Sequence, residues 1–242
     1  MEFPIGIAAN VAAVILGGLA GAAVKKYLPA RVVEMLYMSF GFCALCIGVV
    51  SVVKLHSLTV VILSVLFGGV IGELCHIDSG VQRLIRFTMT KIGRGGEDTP
   101  QEQTELLCLA MALICFSGTG IFGALSEGLD ADHSILLAKA VLDLFTVMVI
   151  ATQTGWFVTL FSIPQLVIFT LCFFCASLIA PVLTPETVGN FKATGGILTF
   201  MVGYNMLAGQ VGLKKIRVLN AVPALILSIF FSWAAGFLPF AI

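Results

Sequence analysis

Eight stretches of mostly apolar residues follow one another along the chain, near 5–24, 35–53, 57–76, 105–126, 134–152, 158–183, 193–211 and 218–239. A helix needs roughly 20 such residues to cross a hydrocarbon core about 30 Å thick. Only a helical conformation is open to these segments, because hydrocarbon offers backbone N–H and C=O groups no partner and a helix satisfies its own. The pattern predicts an all-α fold, a polytopic transmembrane helix bundle of about eight helices in one domain spanning 1–242. Composition agrees: 11% of the residues are charged and 59% are hydrophobic, whereas a water-facing domain carries roughly 25% charge. The lipid bilayer is thus the expected partner. A net charge of zero gives no electrostatic footprint for nucleic acid. Met1-Glu2-Phe3-Pro4 lacks the positive region of a secretory signal, so the first stretch is expected to be retained.

Basic residues orient the spans. Lys25, Lys26 and Arg31 lie in the first connection, Arg83, Arg86, Lys91 and Arg94 in the third, and Lys214, Lys215 and Arg217 in the seventh. In an eight-span chain these connections share one side. The other side keeps Lys54 and Lys192, with Glu127, Asp130 and Asp132 in the fourth connection. Positive charge marks the cytoplasmic side, which places both termini outside it. The third connection, about 78–104, contains Gly93, Gly95, Gly96 and Pro100 and is expected to be a polar loop.

Spans 2 and 7 share a glycine spacing, Gly41 with Gly48 and Gly196 with Gly203, each after a proline-containing turn. Residues 1–77 would then correspond to 158–242, flanking two central helices within 104–153. An offset of five spans makes the copies inverted 3-TM repeats, as in many secondary transporters. The shared composition of membrane helices is the competing source of that likeness.

Spans 4 and 5 carry the residues that packing explains least. In mid-span 4, Cys115-Phe116-Ser117-Gly118-Thr119-Gly120 sets two glycines around a threonine, each about 1 kcal/mol worse than alanine inside a helix. Unwound backbone at that depth is tolerated only against protein or a wet cavity. Ser117 and Thr119 would offer hydroxyls, and a half-helix from Ile121 onward would present N–H groups to an anion. Close packing of another helix on Gly118, Gly120 and Gly123 explains the same glycines equally. In span 5, Lys139 and Asp143 stand one turn apart on one face. A rise of about 1.5 Å per residue from Ser134 puts Asp143 near the midplane. Each charge there costs about 2.5–3.5 kcal/mol to insert, so both are expected to face the bundle interior. They serve either as a binding and coupling site or as a self-neutralising strut.

Asn10, Asn205 and Asn220 are amides inside spans, worth about 0.6–2 kcal/mol each as interhelical glue. Asn205 and Asn10 are also candidate substrate contacts, and Glu127 is a second candidate coupling carboxylate beside Asp143. Gly17, Gly18 and Gly21, and Gly68, Gly69 and Gly72 before Glu73, read as packing faces that permit a homodimer. Cys43/Cys46 and Cys172/Cys175 lie in apolar helix without basic neighbours and read as apolar filler rather than redox pairs. His56, His76 and His133 form no metal-ligand spacing. With no nucleotide-binding loop or nucleophile elbow, the chain is not expected to be an enzyme or to need a cofactor.

These residues resemble a known family. Ser117-Gly118-Thr119-Gly120-Ile121-Phe122-Gly123-Ala124, then Glu127-Gly128, then Ser134 to Thr146 with Lys139 and Asp143, look like the signature of the bacterial YqgA/YdfK family, closer to its YqgA branch. Asn10, Gly68-Gly69 with Gly72-Glu73, and Asn220 with Pro223-Ala224 extend the likeness over nearly the whole chain. The resemblance implies a multi-pass protein of the bacterial inner membrane and supplies no substrate. It places Ser117–Gly120, Glu127, Lys139 and Asp143 in a shared core. The expected function is a secondary transporter for a small polar or anionic solute, against a channel or a non-transporting accessory protein.

Overall fold

The computed structural model describes residues 3–91 and 101–236. All regular structure among them is helical: α1 (Ile5–Val24), α2 (Ala30–Val52), α3 (Leu58–Leu74), α4 (Ile77–Lys91), α5 (Gln101–Cys115), α6 (Gly118–Asp130), α7 (Ser134–Thr154), α8 (Ser162–Ile179), α9 (Pro185–Gln210) and α10 (Pro223–Ala235). Short 3-10 turns, Gly155–Phe161, Ala180–Val182 and Val218–Ala221, link the later helices. The glycine-rich part of the third connection, with Arg94 and Pro100, and the end of the eighth predicted span lie outside the described residues.

Local chemistry sets the helix ends. Ser57 caps α3 by accepting from Val60 N, and Thr184 caps α9 by accepting from Thr187 N, with Pro185 in the first turn. After Cys75 the chain passes through a left-handed residue, His76, and α4 leaves at 54° to α3. The loop expected over 78–104 is therefore helical as far as Lys91. Ile77, Val81, Ile85 and Met89 recur every fourth residue and pack one stripe on the core. Arg83, Arg86 and Lys91 interrupt that stripe in sequence, which hides it from a search for unbroken apolar runs.

Five stretches are long and apolar enough to cross a membrane unaided: Ile5–Val24, Ala30–Val52, Gln103–Asp130, Ser134–Val182 and Val218–Ala235. The fourth, 49 residues long, folds back on itself. Its α7 runs parallel to α1, with Gly17 against Leu144 O and Gly21 against Met148 O. Its α8 runs antiparallel to α1, with Gly18 beside Thr159 and Asn10 bonded to Gln165. α3 has 17 residues, and α9 has 26 but carries Asn190, Lys192 and Asn205. The eight predicted stretches correspond to α1, α2, α3, α5 with α6, α7, α8, α9, and α10 with the turn before it, and α4 is additional.

Span 4 is the axis of the bundle. Its apolar window is 67% buried, against 22–39% in the other four stretches. The outer helices turn Leu16, Val53, Phe67, Leu178 and Ile226 outward, a surface suited to lipid. Glycines set the closest approaches. A Cβ on Gly21 would lie 2.1 Å from Met148 O, and one on Gly72 would lie 1.8 Å from Asn220 O. The shared spacing in spans 2 and 7 has a contact role as well: α2 and α9 are antiparallel, and Gly48 packs on Gly196 while Gly203 packs on Gly41. Gly17, Gly18, Gly21, Gly68 and Gly72 are all covered by the chain's own helices, and Gly69 faces open space.

Candidate functional site

Span 4 breaks at Phe116 and Ser117, and the second half-helix starts at Gly118 rather than at Ile121. Ser117 is extended, and its hydroxyl caps α6 by accepting from Gly120 N at 3.1 Å. The two glycines have separate reasons. A Cβ on Gly118 would come within 2.9 Å of Gly195 Cα, so this glycine admits α9. One on Gly120 would lie 2.6 Å from Lys139 Cε, so this glycine makes room for the lysine stem.

The break also frees carbonyls. In an unbroken helix Leu113 O and Ile114 O would accept from residues 117 and 118. Here Lys139 Nζ reaches Leu113 O at 3.5 Å and Gln165 Nε2 reaches Ile114 O at 3.4 Å. The same ammonium donates to both oxygens of Asp143, at 2.8 and 2.7 Å. Lys139 and Asp143 are 6% and 3% exposed, so water screens them little. The cation thus sits at the negative end of α5 and against a carboxylate, both favourable placements.

Two further helices close the site. Asn10 of α1 and Gln165 of α8 are completely buried. Gln165 Nε2 donates to Asn10 Oδ1 and lies 3.5 Å from Asp143 Oδ2. Asn10 Nδ2 and Gln165 Oε1 are two of three buried side-chain polar atoms without a hydrogen-bond partner among the described residues. Gln165 is not among the residues that the sequence singles out, although it is the one amide in the span 158–183.

The remaining candidates lie elsewhere. The Thr119 residue is exposed and does not join the pair. Asn205 holds the backbone of Ile216 with both ends of its amide, at 2.6 and 2.8 Å. Asn220 accepts from Asp78 N and donates to Glu73, which fixes the bend between α3 and α4. Glu127 belongs to α6 rather than to a connection. It is buried at the start of α1, accepts from Gly6 N at 2.6 Å and Ile7 N at 3.1 Å, and meets His133 Nδ1 at 2.5 Å. A carboxylate there suits the positive end of α1. The structure thus gathers Ser117, Gly120, Lys139, Asp143 and Asn10, gives Gly118 to the contact with α9, and leaves Thr119, Asn205 and Glu127 apart.

A cavity of about 510 Å³ opens near the start of α5, lined by Asp78, Gln82, Glu105, Asn205, Lys215 and Arg217 among others. Cys108 and Leu109 of α5 also line it. From Leu109 to the Leu113 carbonyl is one helical turn, about 6 Å of rise. Asp78, in α4 and outside the membrane-length helices, has its carboxyl held above the usual carboxylate range by burial.

Comparison with known proteins gives the chain its kin. It is similar to the uncharacterized protein YqgA of Escherichia coli (strain K12), 37% identical over 237 residues, covering 96% of this chain and 99% of that protein. It is also similar to the uncharacterized membrane protein YdfK of Bacillus subtilis (strain 168), 24% identical over 228 residues, covering 90% and 91%. No solved structure matches. The family described as protein of unknown function (DUF554) matches residues 5–233, and the chain belongs to that family.

Proposed function

We propose that this chain is a secondary transporter for a small polar or charged solute, with its site where the break in span 4 meets Lys139 and Asp143. The observation that carries the reading is that four helices bring polar groups to one buried point. A strut needs only Lys139 and Asp143, which neutralise each other within α7. It requires neither unwound backbone in the most buried span nor two buried amides from α1 and α8. Irregular backbone beside charged and amide side chains at mid-depth is the arrangement of many transporter sites. The cavity beside α5 supplies an approach from the side where Lys214, Lys215 and Arg217 lie. By the distribution of basic residues this side is cytoplasmic and both termini face outward; kinship with bacterial proteins, one of them named a membrane protein, supports the bacterial inner membrane as the location.

The helix packing favours the inverted relation between spans 1–3 and 6–8. α1 packs on α7 as α8 packs on α6, and α2 and α3 pack antiparallel on α9 and α10. An anionic solute is the weaker fit, because Ser117 already holds Gly120 N and the end of span 4 that faces Lys139 is the carbonyl end of α5.

The test is flux in proteoliposomes with radiolabelled sodium, rubidium, phosphate and acetate, against protein-free vesicles. Wild type should move at least one of them saturably. Lys139→Leu with Asp143→Met should abolish that flux while keeping a monodisperse, cooperatively melting protein. Undiminished flux in the double variant would sink the proposal.

A further inference from the structure

We infer that the groove between α3 and the end of α9 holds an anionic phospholipid, with an acyl chain along the groove and the phosphate at Lys214. The site is separate from the buried pair of α7, and the inference does not depend on transport. It begins with the segment that follows α9. The chain leaves that helix through Gly212, at φ +69°, and Leu213 N donates back to Ala208 O at 2.9 Å, a glycine stop common at helix ends. Asn205 then grips Ile216 at both N–H and C=O, and the Tyr204 hydroxyl donates to Lys214 O at 3.3 Å. These bonds fix 211–217 against the end of α9. Val211, Leu213 and Ile216 are exposed between Lys214, Lys215 and Arg217. Apolar and basic side chains interleaved in this way suit the boundary between acyl chains and headgroups.

That segment divides two spaces of different character. One is the cavity of about 510 Å³, walled by Asp78, Gln82, Glu105 and Asn205 among others. The other is a groove of about 420 Å³ with Val65, Gly69, Met201 and Ala221 in its walls. Lys214, Lys215, Arg217 and Glu73 form its rim. The first suits water and the second a hydrocarbon chain. From Glu73 up to Val65 α3 rises about 12 Å, and from Gln210 back to Met201 α9 rises about 13 Å. The apolar walls therefore reach a common depth from the basic rim. Gly69 faces open space, and Leu66 and Val70 beside it are 61% and 56% exposed. The groove thus opens sideways onto the lipid-facing surface of α3.

Charge selects the head of the occupant. Glu73 is matched by Arg217 and Asn220, and Lys215 by Glu105. Lys214 is exposed and has no side-chain partner among the described residues, which leaves the rim one unbalanced positive charge. A phosphodiester with an uncharged head balances it. A zwitterionic head brings its own cation and does not.

The test is lipid binding by the purified full-length protein, freed of lipid in detergent and followed by native mass spectrometry. It is titrated with phosphatidylglycerol and with phosphatidylcholine of the same acyl chains. Phosphatidylglycerol should bind saturably and roughly fivefold more tightly, the effect of one matched charge. Lys214→Gln should erase that preference and Lys214→Arg should keep it. Gly69→Leu, which fills the groove where space is open, should lower the binding of both lipids. Equal binding of the two lipids, or a preference that survives Lys214→Gln, overturns the site. Lipid binding undiminished in a folded Gly69→Leu protein overturns it too. The Lys214 variants, at an exposed position, keep the test decisive should Gly69→Leu not fold. Displacement of the lipid by equimolar glycerol phosphate would mark a site for a soluble anion and overturn the lipid assignment.

Discussion

Lys139 meets Asp143 at 2.7 Å and Lys215 meets Glu105 at 2.9 Å, yet the first pair is 5% and 4% exposed at its side chains and the second 27% and 33%. The near-equal distances conceal opposite situations. Around Lys215 and Glu105 water solvates either group once its partner is lost, so an ion pair there stabilises little. Around Lys139 and Asp143 the replacement for a lost partner must come from protein, and Leu113 O, Asn10 and Gln165 are what protein supplies. Proximity alone does not distinguish the two pairs. The unwound backbone and the amides recruited from other helices surround the inner pair and not the outer one.

The largest expected effect comes from breaking the buried pair on one side. Asp143→Leu should destabilise the protein by about 3–5 kcal/mol, because it strands a buried ammonium. Pairing it with Lys139→Met should recover most of that loss. Thermal melts in detergent measure both, and a small single-variant effect would make the inner pair no different from the outer one. Next is Gly120→Ala, whose Cβ would press on Lys139 Cε at 2.6 Å; overpacking of this kind costs about 1–3 kcal/mol. Gly69→Ala, with nothing within 4 Å, is the control and should cost nothing measurable. Glu105→Gln, at the partly exposed pair, should change stability by at most about 1 kcal/mol and less at high salt.

The smallest effect has the opposite sign. Burial raises the Asp78 carboxyl above its ordinary 3.8. The fold therefore favours the protonated acid, a contribution complete below the unfolded value and lost as pH rises through the folded one. At neutral pH the ionised carboxylate works against folding. Asp78→Asn should raise Tm slightly there, and a pH series of melts should show the gap closing toward the unfolded carboxylate range.

The bundle and the heart of the candidate site are legible because they rest on large local penalties. Twenty-residue apolar runs, glycines inside one of them and two charges in another each have few physical solutions. Lys139, Asp143, Ser117, Gly120 and Asn10 come together accordingly. What the sequence conceals depends on partners far along the chain or on a small angle. Asn205 and Glu127 spend their polar groups on the backbone at Ile216 and at Gly6 and Ile7, which no spacing reveals. Thr119 lies one residue from Gly120, and a step of one residue turns a side chain by about 100° around a helix. α4 hides behind its own charges, and Gln165 is the one amide in a run read for its hydrophobicity.

The separations in sequence within the site also bear on how the chain is made. Lys139 and Asp143 are four residues apart on one helix, so they leave the ribosome together and enter the bilayer already neutralised. Asn10 and Gln165 are 155 residues apart. α1 must wait in lipid with its amide unmatched until five more spans have been synthesised. The amide shell therefore closes late in biogenesis, after the charged pair is in place, and a chain stalled before α8 would carry the ion pair without the residues that enclose it.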